Sequence, residues 1–305
     1  MKNRFDFRGK TALITGASSG IGREFAYALA RRGAKLLLVA RSRDKLHDLA
    51  AELRRDYACD ADFLAVDLST TDAVPTVGHF LKATGTVVDV LINNAGFAAY
   101  GRFETIPWTL QRDEMLVNCM AAIELTHLLL PGMQARSDGA VINVASTAAF
   151  QPDPYMAIYG ATKACLLSFS EAVWAENRHR GIRVLALCPG ATQTGFFDVV
   201  GAKEAAVGTP MPVASVVQDA LWALDRSRSY RIVGTQNRLL ANLQRLLSRE
   251  MSARLVEKIL RPRGIRDLVT GDTNAQGAAN INVVDGQGES HGSFSVDSSP
   301  ARPRA

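Results

Sequence analysis

The sequence predicts an α/β fold: a doubly wound parallel sheet of seven strands in a three-layer α/β/α arrangement, with a C-terminal helical extension. Three observations carry this expectation. Short apolar runs alternate with longer amphipathic stretches, the rhythm of repeated strand–helix–strand units. The short runs are almost continuously apolar, as strands covered on both faces are. The first of them feeds a glycine- and serine-rich turn that opens a helix, TALITGASSGIG over residues 11–22.

The strands are TALITG (11–16), KLLLVAR (35–41), ADFLAVDL (61–68), VVDVLINNAG (87–96), GAVINVAS (139–146), IRVLALCPG (182–190) and YRIVG (230–234). Helical periodicity fills the intervals 21–32, 43–57, 72–84, 109–135 and 155–180. Together they make one dinucleotide-binding and catalytic domain over 1–235. Beyond it, in 236–270, Leu239, Leu240, Leu243, Leu246, Leu247, Met251, Leu255, Ile259 and Leu260 recur at helical spacing, with Arg238, Arg245, Arg249, Arg254, Lys258 and Arg261 between them. This predicts one basic amphipathic helix over 238–261. Residues 271–305 hold Gly, Ser, Asp and Asn with few large apolar groups, too few to offset the entropy of ordering, and are expected to be disordered.

At 305 residues the chain has length for one large domain and an appendage. No uncharged apolar run reaches the ~20 residues of a membrane span, and MKNRFDFRGK lacks the apolar stretch of a signal peptide. The cysteines Cys59, Cys119, Cys165 and Cys188 show no C-x-x-C spacing, so reduced, packed thiols and a cytoplasmic location are expected. The scattered histidines give no metal-ligand spacing, and no metal is predicted. Charge is uneven: 22 basic and 23 acidic groups in 1–225, 11 and 2 in 226–266, 2 and 5 in 267–305. The excess of +5 therefore belongs to the extension and does not argue for nucleic acid.

Gly16, Gly20 and Gly22 are spaced so that backbone can approach a ligand closely, and the helix that follows aims free N–H groups at an anion. This is a phosphate cradle. The strand KLLLVAR ends where such folds meet the adenosine ribose. An acidic residue there would select NAD, but the position holds Ala40, then Arg41, Ser42 and Arg43. Without a carboxylate to repel a 2′-phosphate, and with a guanidinium to grip it, NADP(H) is favoured. The alternative is that Arg41 and Arg43 form a solvated helix start. Asp67 is placed to bond the adenine amino group, with Leu68 contributing backbone contacts; alternatively Asp67 caps a helix beginning near Thr70. Asn93, Ala95 and Gly96 close the fourth strand with small and amide side chains, fitting backbone packed on a cofactor.

Tyr159 and Lys163 project from one helix face, and an ammonium within several ångströms stabilises phenolate and lowers the phenol's pKa. A tyrosine so tuned exchanges a proton with a carbonyl oxygen as hydride moves. Tyr155 competes, but its i+4 neighbour is Tyr159, not a cation. Ser146 ends the fifth strand, where a hydroxyl donates to the same oxygen; alternation points Thr147 away. Asn118 sits in a helix interior, an unfavourable place for asparagine that suggests a functional role such as holding a relay water.

In their order, TGASSGIG, NNAG, Asn118, Ser146, YGATK and CPGATQT resemble the classical short-chain dehydrogenase/reductase family over about residues 8–235. The resemblance implies a Rossmann-type fold and a tetrad of Asn118, Ser146, Tyr159 and Lys163, with Lys163 also bonding the nicotinamide ribose. It further implies that Gly16, Ser18, Ser19, Gly20, Ile21 and Gly22 bind phosphate, that Asp67 and Asn93 contact the adenosine side, and that Pro189, Gly190, Ala191, Thr192 and Thr194 line the carboxamide. Homodimers or homotetramers are common in the family.

The segment from Thr194 to Pro212 has no fixed period. Phe196, Phe197, Val199 and Val200 suggest an apolar ligand, or equally the packing of a loop, and Phe150 and Met156 are placed on the same pocket wall. These observations point to an NADP(H)-dependent oxidoreductase acting on an apolar ketone, sterol-like or acyl-derived small molecule. A catalytically silent NADP-binding sensor or scaffold is the second reading, against which the intact tetrad argues. For the 238–261 helix, burial against the domain or a partner subunit and docking on an anionic membrane are both open.

Overall fold

The computed structural model describes residues 4–196 and 208–262. Strands β1 (Thr11–Thr15), β2 (Lys35–Ala40), β3 (Ala61–Ala65), β4 (Val90–Asn93), β5 (Gly139–Val144), β6 (Ile182–Cys188) and β7 (Tyr230–Ile232) form one sheet in the order β3-β2-β1-β4-β5-β6-β7. Every pairing is parallel. The helices are α1 (Gly20–Ala30), α2 (Arg43–Tyr57), α3 (Ala73–Thr84), α4 (Trp108–Arg136), α5 (Ala157–Asn177), α6 (Val213–Asp225), α7 (Thr235–Leu243) and α8 (Arg249–Leu260).

Side-chain alternation sorts the core into two layers. Ala12, Ile14, Leu36, Leu38, Val90 and Ile92 face α1, α2 and α6, where Phe25, Leu29, Leu46, Leu53 and Val216 meet them. Leu13, Leu37, Val39, Leu91, Val141 and Val184 face α3, α4 and α5, meeting Val77, Leu125, Met133 and Val173. The strands are thus apolar on both faces for the reason the sequence suggested.

Three features depart from the sequence reading. Helix α6 is absent from the helical intervals read from the sequence; its Val216, Val217, Ala220, Leu221 and Leu224 bury against the sheet. The extension is two helices, α7 and α8, not one. A short 3-10 turn, Gln244–Leu246, separates them, and the Ser248 hydroxyl then caps α8 by accepting from Met251 N at 3.2 Å. The strands also stop short of the predicted ends: Asp67, Ala95, Gly96, Ser146, Pro189 and Gly190 lie beyond the last ladder residues of β3, β4, β5 and β6. Phe197, Val199, Val200 and residues 271–305 lie outside the described residues. Among those described, α4 is the helix long and apolar enough to cross a membrane by length and composition, but its Leu125 and Met133 are fully buried in the core.

Strand order reverses between β1 and β4, so a crevice opens beyond their carboxyl ends. One hydroxyl ties its walls together. Thr15 Oγ1 accepts from the backbone N–H groups of Asn94 and Ala95, both at 3.0 Å, and donates to Ile92 O at 3.4 Å. Removing it in Thr15→Val strands two N–H groups in a buried place. The expected cost is about 1–3 kcal/mol of unfolding free energy, read from the urea midpoint at unchanged slope.

Candidate active site

The glycine turn is built around left-handed backbone. Gly16 and Gly20 have φ of +62° and +53°, and a Cβ on Gly22 would stand 2.3 Å from Gly16 O. Asn94 closes the turn from across the crevice, donating Nδ2 to Thr15 O at 3.0 Å and Gly16 O at 3.2 Å. The sequence reading passed over this residue in favour of its neighbour. The Asn93 amide faces away from the turn, giving Nδ2 to Ala122 O, Thr126 Oγ1 and Asn143 Oδ1. Its side chain therefore joins β4 to α4 and β5, which leaves only its backbone to the crevice. Ser19 is the exposed residue ahead of α1, with extended backbone and no side-chain bond to its own helix; Ile21 packs on the core and Ser18 is half-buried. A Cβ on Gly20 would come 3.1 Å from Thr194 Cγ2, so the loop after β6 faces the turn across a narrow cleft.

Around the rim, Ala40 ends β2 without a carboxylate and Arg41 is exposed beside it. Arg43, in contrast, lies 5.7 Å over the Phe63 ring. Asp67 does not cap a helix: α3 begins at Ala73, and Asp67 Oδ1 instead accepts from Ser69 N and Oγ at 3.0 and 2.9 Å. The Leu68 side chain is buried with Ala73 and Ala121. Pro189 O accepts from Thr147 N, Thr192 Oγ1 donates to Gly190 O at 3.0 Å, and Met211 N donates to Ala191 O. A cradle that a Cβ would fill, a free helix N-terminus and a β2 end without a carboxylate fit a pyrophosphate-linked dinucleotide.

The tetrad residues converge at the ends of β4 and β5. Asn118 lies in a π turn, Leu116–Met120, that widens α4 where the sequence suggested regular helix. Its Oδ1 accepts from Phe97 N at 2.9 Å, and its Nδ2 donates to Phe97 O at 2.8 Å and Thr162 Oγ1 at 3.3 Å. The side chain is thereby committed to joining α4, α5 and the loop after β4. Beside it, a Cβ on Gly96 would stand 3.0 Å from Asn118 Oδ1 and 3.4 Å from Lys163 Nζ. Lys163 Nζ donates to Val144 O at 2.9 Å and lies 5.6 Å from the Tyr159 ring centroid. Ser146 follows the end of β5, accepts from Ala148 N at 3.2 Å, and its hydroxyl lies near enough to the Tyr159 phenol to lower its pKa. Tyr155 stands outside α5 with φ +64°, and its hydroxyl donates to Glu257 Oε1 at 2.8 Å.

The electrostatics correct one expectation. Burial, not the lysine, dominates Tyr159: it raises the phenol above its ordinary value, and the Ser146 hydrogen bond pulls it partly back. Burial likewise pushes Lys163 down to about 8, opposed by the charge of Glu114. Glu114 was not expected at the site. It lies one turn before Asn118, is 1% exposed, receives Ala99 N at 3.4 Å through Oε2, and has Oε1 unpartnered among the described residues. Burial pushes it up to about 8, with Asp153 pushed up to about 7 for the same reason. The only sequence signal was spacing, i and i+4 with Asn118.

Ala98 and Met156 are buried with Tyr100, Tyr159 and Phe196 around them, the Phe196 ring 5.7 Å from that of Tyr159. Met156, expected on the pocket wall, and Phe196, open between ligand contact and loop packing, thus pack together beside Tyr159. Phe150 does not: it packs 6.1 Å from the Tyr230 ring.

A family model described as short chain dehydrogenase matches residues 10–205. Ketoacyl reductase HetN of Nostoc sp. is 32% identical over 267 residues, covering 85% of this chain and 91% of that protein. Very-long-chain 3-oxoacyl-CoA reductase-A of Danio rerio is 35% identical over 185 residues, 59% of this chain and 57% of that protein. The match with the zebrafish relative therefore spans less than two thirds of its length. Among solved structures, a short-chain dehydrogenase from Sphingobium yanoikuyae in complex with NADPH superimposes with TM-score 0.71 at 32% identity, covering 86% of this chain and 99% of that one.

The buried carboxyl makes stability depend on pH. With its folded pKa near 8 against an ordinary 4.5, Glu114 binds a proton in the native state that the unfolded chain has released. Its contribution therefore falls as pH rises from about 4.5 through 8. Glu114→Gln, neutral throughout, should match the parent near pH 5 and exceed it at pH 8 by on the order of a few kcal/mol in denaturant melts. Parallel profiles for the two proteins would contradict the assignment.

Proposed function

The chain belongs to the short-chain dehydrogenase/reductase family, and on that premise we propose that it is an NADP(H)-dependent oxidoreductase interconverting a carbonyl and a secondary alcohol. The observation that carries the proposal is the meeting of Ser146, Tyr159 and Lys163 beside the glycine turn. When bound, the cofactor supplies or accepts hydride at its nicotinamide ring. The protein's own residues manage the proton. A phenol kept protonated by burial is suited to donate to a carbonyl oxygen, and the Ser146 hydroxyl donates to the same oxygen as charge develops. Lys163, fixed by Val144 O, keeps a cation next to the phenol, while Asn118 holds Gly96 and Phe97 against the lysine. Gly16, Gly20, Gly22 and Ser19 would hold the pyrophosphate, and Arg41 a 2′-phosphate.

The substrate is an apolar carbonyl compound, with a 3-oxoacyl thioester the class favoured. Ala98, Met156 and Phe196 offer an apolar wall at Tyr159, and similar proteins bear the names ketoacyl reductase and 3-oxoacyl-CoA reductase. The silent-sensor reading gains nothing from an arrangement that buries a lysine at 4% exposure next to a tyrosine. A cytoplasmic, oligomeric enzyme is part of the same proposal.

Two measurements test it. Tyr159→Phe should lower kcat for NADPH-dependent reduction of a 3-oxoacyl thioester by about a hundredfold or more, with an unchanged melting temperature. Arg41→Ala should reduce kcat/KM for NADPH by about tenfold and leave that for NADH near its parent value. Equal or higher efficiency of the parent with NADH would refute the cofactor preference.

A further inference from the structure

The surface of α7 and α8 differs from the rest of the molecule. Of the large apolar side chains that stand exposed among the described residues, half lie between Leu239 and Ile259. Leu246 is 80% and Leu239 69% exposed, and Leu243, Met251, Leu255 and Ile259 are about half exposed. Exposed apolar side chains concentrated on one segment in this way mark an interaction surface.

The opposite face of the same helices is already satisfied. Ala241, Val256 and Leu260 are buried, the Tyr100 hydroxyl donates to Leu260 O at 2.6 Å, and the Tyr155 hydroxyl donates to Glu257. The segment is docked by its inner side, so the outer row is not needed for its own packing. In α8, Met251, Leu255 and Ile259 repeat every four residues on one stripe, and Arg254 and Lys258 repeat on the neighbouring one. Among the described residues no ion pair engages Arg238, Arg249, Arg254 or Lys258. Glu257 is held by Arg261 and Tyr155, which leaves Glu250 as the one acid on α8 outside such a pair in that same region.

We propose that the outward face of α7 and α8 docks on the surface of an anionic lipid bilayer. The apolar row enters the acyl boundary, and Arg238, Arg254 and Lys258 lie among the headgroups. Charge selects this occupant over a second copy of the chain. A twofold contact through the face would set each cationic stripe against its mate, whereas an anionic bilayer offers apolar and negative groups together. The docking does not depend on the proposed chemistry. It does place the pocket wall near the lipid, since α8 bonds Tyr100 and Tyr155, which flank Met156 and Tyr159.

The test is co-sedimentation of the full chain with phosphatidylcholine vesicles, pure or with about one third phosphatidylglycerol. Binding should be at least about tenfold stronger to the anionic vesicles and should weaken at high salt. Leu239→Glu/Leu246→Glu and Arg254→Glu/Lys258→Glu should each lower it by about tenfold or more with unchanged circular dichroism and melting temperature. Equal partition to both vesicle types, or parental binding by both double variants, would overturn the proposal. So would a lipid-free mass that falls from dimer to monomer in the leucine variant, because a second copy would then cover the face.

Discussion

The crevice exists because a parallel sheet reverses its winding between β1 and β4, and the reversal is pinned by the hydroxyl of Thr15. Two adjacent strands diverge at that point, and their backbone groups would otherwise face a gap with no partner. By accepting from two successive N–H groups, one threonine brings the end of β4 to the end of β1. Asn94 then returns the favour by bonding the carbonyls of Thr15 and Gly16. The glycines of the turn are a consequence: with Asn94 pressed against them, no side chain has room at Gly16 or Gly22.

The same economy governs charge. Tyr159, Lys163, Glu114 and Asp153 share a largely dry region, and burial moves each toward its neutral form. The lysine is therefore less an acidifier of the phenol than a cation held in place against desolvation by a carbonyl at 2.9 Å. Glu114 opposes its loss of charge, so the environment of the pair is set from α4 as well as from their own helix.

Much of this was legible in the sequence, because the fold rests on periodicities that individual residues carry. The apolar runs placed all seven strands, and the order of the glycine turn, Asn118, Ser146, Tyr159 and Lys163 placed the site. What escaped was tertiary. Asn93 and Asn94 are chemically identical, and only the twist of the strand end decides which faces the turn. Phe150 and Met156 flank the same loop yet bury on different sides. A sign of charge interaction read from spacing, as for Tyr159 and Lys163, misses the desolvation that outweighs it. Helix α6 follows the segment without a fixed period, and its apolar face finds its partner only in the folded sheet.

The π turn in α4 has a consequence for how this helix is built. Five residues, Leu116–Met120, accommodate a bond pattern that adds one residue to a turn, so the two halves of α4 are out of phase by roughly 100°. The first half and the turn can therefore aim Glu114 and Asn118 toward Lys163 and the loop after β4, while the second half aims Leu125 and Met133 into the hydrophobic layer. A single uninterrupted spiral would have to compromise between those two orientations. The wide turn works as a phase coupling, which frees each half to drift in composition without disturbing the aim of the other.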